Sequence, residues 1–141
     1  MKRIGQLFQC LAVGLVCACS SVQAQLYRLE SSFGQIELGL GIAVTSNRIY
    51  VADNHGGAVK VFDHSGASVG VLAKVGTFLN DLPNPPDSVA IGPDNTILVG
   101  DYNYIWSYLP DGTRLGRYTH SDGSVLNGTY GILTDSLNNI W

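Results

Sequence analysis

Short apolar runs, each closed by a cluster of Gly, Pro, Asn or Asp, follow one another along the chain from residue 41 onward. Branched and aromatic side chains fill the runs and turn formers fill the gaps, which is the pattern of short β-strands joined by tight turns. The first set predicts strands at 41–44, 49–52, 59–62 and 68–73, with turns at 45–48 and 63–66. A second set predicts strands at 89–91, 97–99, 105–108 and 115–118, with turns at 92–95 and 110–112. After the N-terminal stretch no period of 3.6 residues is sustained, so helix should be nearly absent.

The two sets are copies. Gly41-Ile-Ala-Val, a turn, then Ile-Tyr-Val-Ala-Asp53 returns as Ser88-Val-Ala-Ile, a turn, then Ile-Leu-Val-Gly-Asp101, and starts again at Gly131-Ile-Leu-Thr. Ile42 to Val89 is 47 positions and Val89 to Ile132 is 43. A period of this size marks a repeat architecture, in which one unit cannot bury its apolar surface alone. The strands do not alternate apolar with polar, so both faces of each sheet are expected to be covered. A radial stack of four-stranded antiparallel sheets meets that demand. A β-sandwich would repeat less regularly, and a β-solenoid coil is usually shorter. The expected fold is all-β, a partial β-propeller with about two and a half blades: 41–86, 87–129 and an incomplete unit at 130–141.

Gly-Ile-Ala-Val, a turn, Ile-Tyr-Val-Ala-Asp, a loop and Val-x-Val-Phe-Asp-x-x-Gly resemble the NHL repeat. The wider relatives are six-bladed propellers, including the SMP-30/gluconolactonase-like and amidating-lyase-like proteins. The resemblance covers about residues 34–141. It departs from the family where an Arg usually precedes the third strand; Ala58 and Tyr104 stand there. A six-bladed ring at this period needs roughly 260 residues, whereas 117 remain after a 24-residue leader, 141 minus 24. The chain is therefore expected to be an N-terminal piece of a longer ring, with residues 27–34 as an extra outer strand. Expressed alone, it should expose sheet edges and self-associate.

Residues 1–24 read as a secretory signal peptide: Lys2 and Arg3, an apolar run at 11–18, then Val22-Gln23-Ala24 as a small-x-small cleavage site. The alternatives are an uncleaved membrane anchor and a lipid anchor at Cys19. Cys10, Cys17 and Cys19 all precede residue 25, so the mature part has no thiol and no disulfide. It holds six Lys and Arg against eleven Asp and Glu, a net charge near −5. That balance argues against nucleic acid and against an anionic membrane surface. The expected location is periplasmic or extracellular.

Loops joining second to third strands share one end of a meander with the connections between units. In propellers that end commonly carries the site. Here it would present Asn54, His55, Tyr102, Asn103 and Tyr104, with Asn84 and Asp87 from the first connection. Such groups hydrogen-bond neutral polar ligands or peptides, and aromatic rings anchor partners. Each has a plainer reading. Asp53 and Asp101 end equivalent strands, and recurrence favours caps for their own loops over a catalytic pair or metal ligands. His55 is a candidate base or ligand, but no second His shares a ligand spacing with it, which favours a solvated loop histidine. Tyr102 and Tyr104 could form a binding lip or simply pack over the sheet end. Asp94-Asn95 and Asn138-Asn139 belong to turns at the opposite end.

Two function classes follow. One is an exported binding scaffold for a protein, peptide or glycan, with no cofactor. The other is a propeller enzyme, a lactonase-type hydrolase or a lyase, with a divalent cation held mostly by blades beyond this sequence. No catalytic constellation and no metal ligand set stands out, and Glu30 and Glu37, the only glutamates, precede the first repeat. Binding is the favoured expectation.

Overall fold

The computed structural model describes residues 34–76 and 81–141. The expected leader, with its cleavage site and Cys19, and nearly all of the expected strand at 27–34 lie outside the described residues. Eight strands are present among the described residues: β1 (Gly39–Val44), β2 (Ile49–Asp53), β3 (Ala58–Phe62), β4 (Ser68–Lys74), β5 (Ser88–Ile91), β6 (Ile97–Gly100), β7 (Ile105–Tyr108) and β8 (Arg114–Tyr118). They form two four-stranded antiparallel sheets with the same simple order, β1-β2-β3-β4 and β5-β6-β7-β8. Every predicted strand forms, most of them one or two residues longer than the apolar run alone indicates. The one helical turn among the described residues, Pro93–Asn95, is a 3₁₀ turn at the predicted turn 92–95, with Asp94 and Asn95 in the left-handed region at φ 54° and 59°.

The repeat seen in the sequence is a repeat in register. Ile42 pairs with Val51 as Val89 pairs with Val99. Val51 pairs onward with Lys60, and Val99 with Trp106. The outer hairpins share an irregularity, between Val61 and Phe62 in one and between Ser107 and Tyr108 in the other. Turn aspartates recur as well. Asp63, Asp111, Asp122 and Asp135 each accept the backbone N–H two residues on, from Ser65, Thr113, Ser124 and Leu137. These carboxylates serve local turn chemistry.

The two sheets meet through β5, which packs on β1 and, at its flank, β2. One core fills the contact: Ala43, Tyr50, Ala52, Val59 and Val61 from the first sheet against Val89, Ile97, Val99, Trp106 and Tyr108 from the second, closed by Leu72, Ala73 and Leu82. Burying side chains of this size contributes about 1.5–3 kcal/mol each. Gly41 is required there, because a Cβ would lie 2.9 Å from the Val89 nitrogen and 3.0 Å from the Ser88 Cα. The connection between sheets is pinned by a parallel bridge of Val75 to Leu82 and by Arg114 donating to the Asp81 carbonyl at 3.2 Å.

Coverage of the faces differs between the sheets. In the second, Leu98 and Ser107, which point away from the first sheet, are also buried. Ile132 of the third unit is buried too, and the Thr134 hydroxyl donates to the Ile91 carbonyl at 2.8 Å. In the first sheet the face carrying Leu40, Ile42 and Val44 is open, with Ile42 64% exposed against 6% for its equivalent Val89. The expectation of two covered faces therefore holds for the second sheet and not for the first, because the second has a neighbour on each side among the described residues. The third unit pairs only through the bridge of Thr134 to Ile140, around a turn capped by Asp135.

Candidate binding site at the loop end

Asp53 closes β2, and Asp101 stands in the same place directly after β6. Both side chains are fully buried. Each accepts N–H groups of its own following loop, Gly56 for Asp53 at 3.2 Å, and Asn103 and Tyr104 for Asp101 at 3.2 and 2.9 Å. This is the capping role that recurrence favours. Gly56 has no side chain for a reason: a Cβ there would collide with the Asp53 carboxylate.

The remaining partners differ. Asp53 takes the N–H groups of Glu37 at 3.1 Å and Leu38 at 2.8 Å, and the Lys60 ammonium at 2.7 Å. Burial pushes its carboxyl up, but the Leu38 N–H, the Lys60 ammonium and the Glu37 and Gly56 N–H groups outweigh burial and hold it well below the usual carboxylate range. In the second sheet the residue equivalent to Lys60 is Trp106, whose indole N–H donates to Asp101 at 2.9 Å. Forty-seven positions after Glu37 and Leu38 stand Asn84 and Pro85. Proline has no N–H to donate, and the Asn84 side chain bonds the carboxylate instead. Burial dominates here and raises the Asp101 pKa against the donors Trp106, Tyr104, Asn103 and Asn84.

Asp87 enters the same site. Its N–H donates to the Gly100 carbonyl at 2.8 Å, extending the Ser88–Gly100 pairing and setting Asp87 across from Asp101. Burial and then the Asp101 charge raise its pKa, while the Asn54 amide, donating at 2.8 Å, opposes them. That bond joins the two sheets at their loop ends. The equivalent place one unit on is occupied by Tyr102 and Tyr130, edge to face with centroids 5.9 Å apart.

Of the residues expected at this end, Asn84 bonds Asp101, Asp87 lies across the ladder from it, and Asn54 bonds Asp87. Tyr102 stands apart with Tyr130. It is held at φ 75° by its N–H donating to the Thr129 hydroxyl at 3.1 Å and by its carbonyl accepting the Gly128 N–H at 2.7 Å. Asn103 binds through its backbone, donating to Asp101 and accepting from Leu126. Tyr104 turns to the outer strands, against Trp106 at 5.4 Å and under the Arg117 guanidinium at 4.4 Å. His55 is an exposed loop residue. Lys60 and Trp106 were not singled out from sequence; the signal was their equal distance along the third strands, masked by a shorter loop in the second unit.

Among the described residues no three or more His, Cys, Asp or Glu are grouped to hold a metal ion. Both Asp101 oxygens are taken by N–H groups inside a fully buried side chain.

No family model and no curated protein matches the chain. Among solved structures it is similar to the extracellular domain of what is described as a hybrid two component system from B. thetaiotaomicron, with a TM-score of 0.54 at 23% sequence identity. The match covers 82% of this chain and 15% of that one. No helix among the described residues is long and apolar enough to cross a membrane.

Proposed function

We propose that the chain supplies blades of an exported NHL-type β-propeller, and that its loop end is a rigid binding surface for a protein or peptide partner. Two meanders with matching register, stacked through their inner strands, support the propeller reading, and the likeness to an extracellular domain many times longer supports the exported one. The observation that carries the binding reading is the tyrosine pair. Tyr102 is 45% and Tyr130 69% exposed, yet their backbones are tied by bonds among Tyr102, Gly128, Thr129 and Tyr130 and their rings meet edge to face. Exposed aromatic rings that are already ordered are good anchors, since little rotamer freedom is lost on binding. The equivalent place one unit back is polar, with the Asn54 amide donating to Asp87 at 2.8 Å.

Screening the secreted protein against a displayed peptide library tests this. Tyr102→Ala should weaken any captured peptide by about tenfold or more, on the scale of an interface hot spot. Selected peptides that bind Tyr102→Ala and Tyr130→Ala as tightly as the parent would exclude the tyrosine surface. Turnover of lactone substrates with metal dependence would move the assignment to the enzyme class. Capture of glycans that is lost in Tyr102→Ala would move this end to carbohydrate recognition.

A further inference from the structure

A second cleft lies at the opposite end of the strands, where the turns are. Its volume is about 550 Å³, and it is lined by Val44, Thr45, Ser46, Asn47 and Tyr50 of the first sheet and by Ile91, Asn95 and Pro110 of the second. This volume is within the range of small-molecule sites. None of the lining residues is charged. Val44, Ile91 and Pro110 form an apolar patch, and hydroxyl and amide groups surround it.

Tyr50 makes this more than a gap between turns. Its side chain is 1% exposed and belongs to the core between the sheets. No protein group hydrogen-bonds its hydroxyl. No fully enclosed side-chain oxygen or nitrogen among the described residues lacks a partner. The Tyr50 hydroxyl is therefore the part of the side chain that reaches the cleft it lines. A buried phenol whose only outlet is a cleft has its hydrogen-bonding capacity reserved for what enters. Nearby, the Ser46 hydroxyl and the Asn95 amide make no bond to the protein. Thr45 and Asn47, by contrast, bond each other, and Thr45 also closes its own turn with Arg48.

We infer that this cleft is a binding site for a neutral, hydroxyl-rich small molecule of the size of one or two sugar rings, oriented by the Tyr50 hydroxyl. Groups that both donate and accept suit hydroxyls. The lining itself carries no charge to repay an ion for leaving water, the Arg48 guanidinium that acts on Tyr50 being engaged by the Asn47 carbonyl at 2.9 Å, and the Val44–Ile91–Pro110 patch suits the C–H face of a ring.

The test is titration of the full chain with glucose and maltose, followed by calorimetry and by ligand-observed NMR, with glucuronate as the charged control. Saturable binding of a neutral sugar is expected. Tyr50→Phe removes one oxygen and leaves the ring, so it should weaken binding by about tenfold, the scale of one net hydrogen bond. Ser46→Arg blocks the rim from an exposed position with no packing role and should abolish binding. Leu137→Ala, an exposed substitution outside the cleft lining, should leave it unchanged. The inference is overturned by absence of saturable binding at about 20 mM sugar, by equal binding of glucuronate, or by indifference to both Tyr50→Phe and Ser46→Arg.

Discussion

Asp53 and Asp101 hold the same place in two copies of one sheet, and their surroundings treat the charge in opposite ways. Around Asp53 the chain gathers an ammonium and three backbone N–H groups. Around Asp101 it offers only neutral donors and sets a second carboxyl, Asp87, across the ladder. The difference has three parts: burial, which dominates at Asp101, the Leu38 N–H, whose counterpart Pro85 cannot donate, and the exchange of Lys60 for Trp106. In the first sheet a charged side chain with one open side can serve the carboxylate. In the second that position is inside the core, where an indole packs and still donates one hydrogen bond. A repeat conserves geometry, and burial decides which chemistry can occupy it.

The sharpest way to break the comparison is at the residues that share a register and differ in burial. Val89→Asp should cost about 4 kcal/mol or more, since it places an unpaired charge in the core. Ile42→Asp, on the open face, should change stability by about 0.5 kcal/mol or less. Urea melts followed by tryptophan fluorescence measure both. Similar losses at the two positions would show that the open face is covered in solution.

Next in size are the carboxylates. Asp53→Asn should cost about 3 kcal/mol, because it strips the Lys60 pair and presents an amide donor to three donors. Asp101→Asn should cost about 1 kcal/mol or less, because it also relieves Asp87. The reverse ranking would overturn the electrostatic contrast.

The pH dependence separates the two sites by sign. A carboxyl depressed in the folded state, as Asp53 is, stabilises above its unfolded pKa near about 4, and that contribution is lost as pH falls. Carboxyls raised in the folded state, as Asp87 and Asp101 are, bind protons more tightly when folded. Their contribution is present in acid and is lost as pH rises above about 4 toward their folded values. The penalty of Asp53→Asn should thus shrink toward acid pH. Asp87→Asn should gain on the parent as pH rises from about 4, apart from the loss of its bond from Asn54. Melting temperatures across that range decide it, and parallel curves for all three proteins would refute the assignment.

The smallest effects belong to the links between units. Asn54→Ala removes one hydrogen bond between sheets and should cost about 1 kcal/mol. A double-mutant cycle on Tyr102 and Tyr130 should return a coupling of about 0.5–1 kcal/mol, the lower part of the range for aromatic pairs because both rings are wet. A coupling of zero would mean the ring contact contributes nothing to holding the connection.

Much of this was legible beforehand. Val59–Phe62 and Ile105–Tyr108 read as strands because branched and aromatic residues pack well on a pleated surface. The turns at 45–48 and 92–95 read as turns because Asn, Asp and Gly tolerate left-handed backbone. Asn54, Asn84 and Asp87 were placed at one end by strand order alone. Their linkage to Asp101 was not readable, since it joins residues up to 47 positions apart through the stacking of two sheets. Lys60 and Trp106 share neither charge nor size, so only their place along the third strands and their pairing with Val51 and Val99 mark them as counterparts. The open face around Ile42 was unreadable for the same reason, as Ile42 and Val89 carry equally apolar side chains.

Strand positions, turn types, the doubled order of each meander and the acidic, thiol-free composition after residue 24 are local properties, set by side-chain shape and backbone preference within a few residues. Which carboxyl is shifted down and which up, which apolar face is buried and where the Tyr50 hydroxyl emerges depend on what the neighbouring sheet brings within a few ångströms. Desolvation and hydrogen bonding act over those distances and not along the chain, so only the packed structure could decide them.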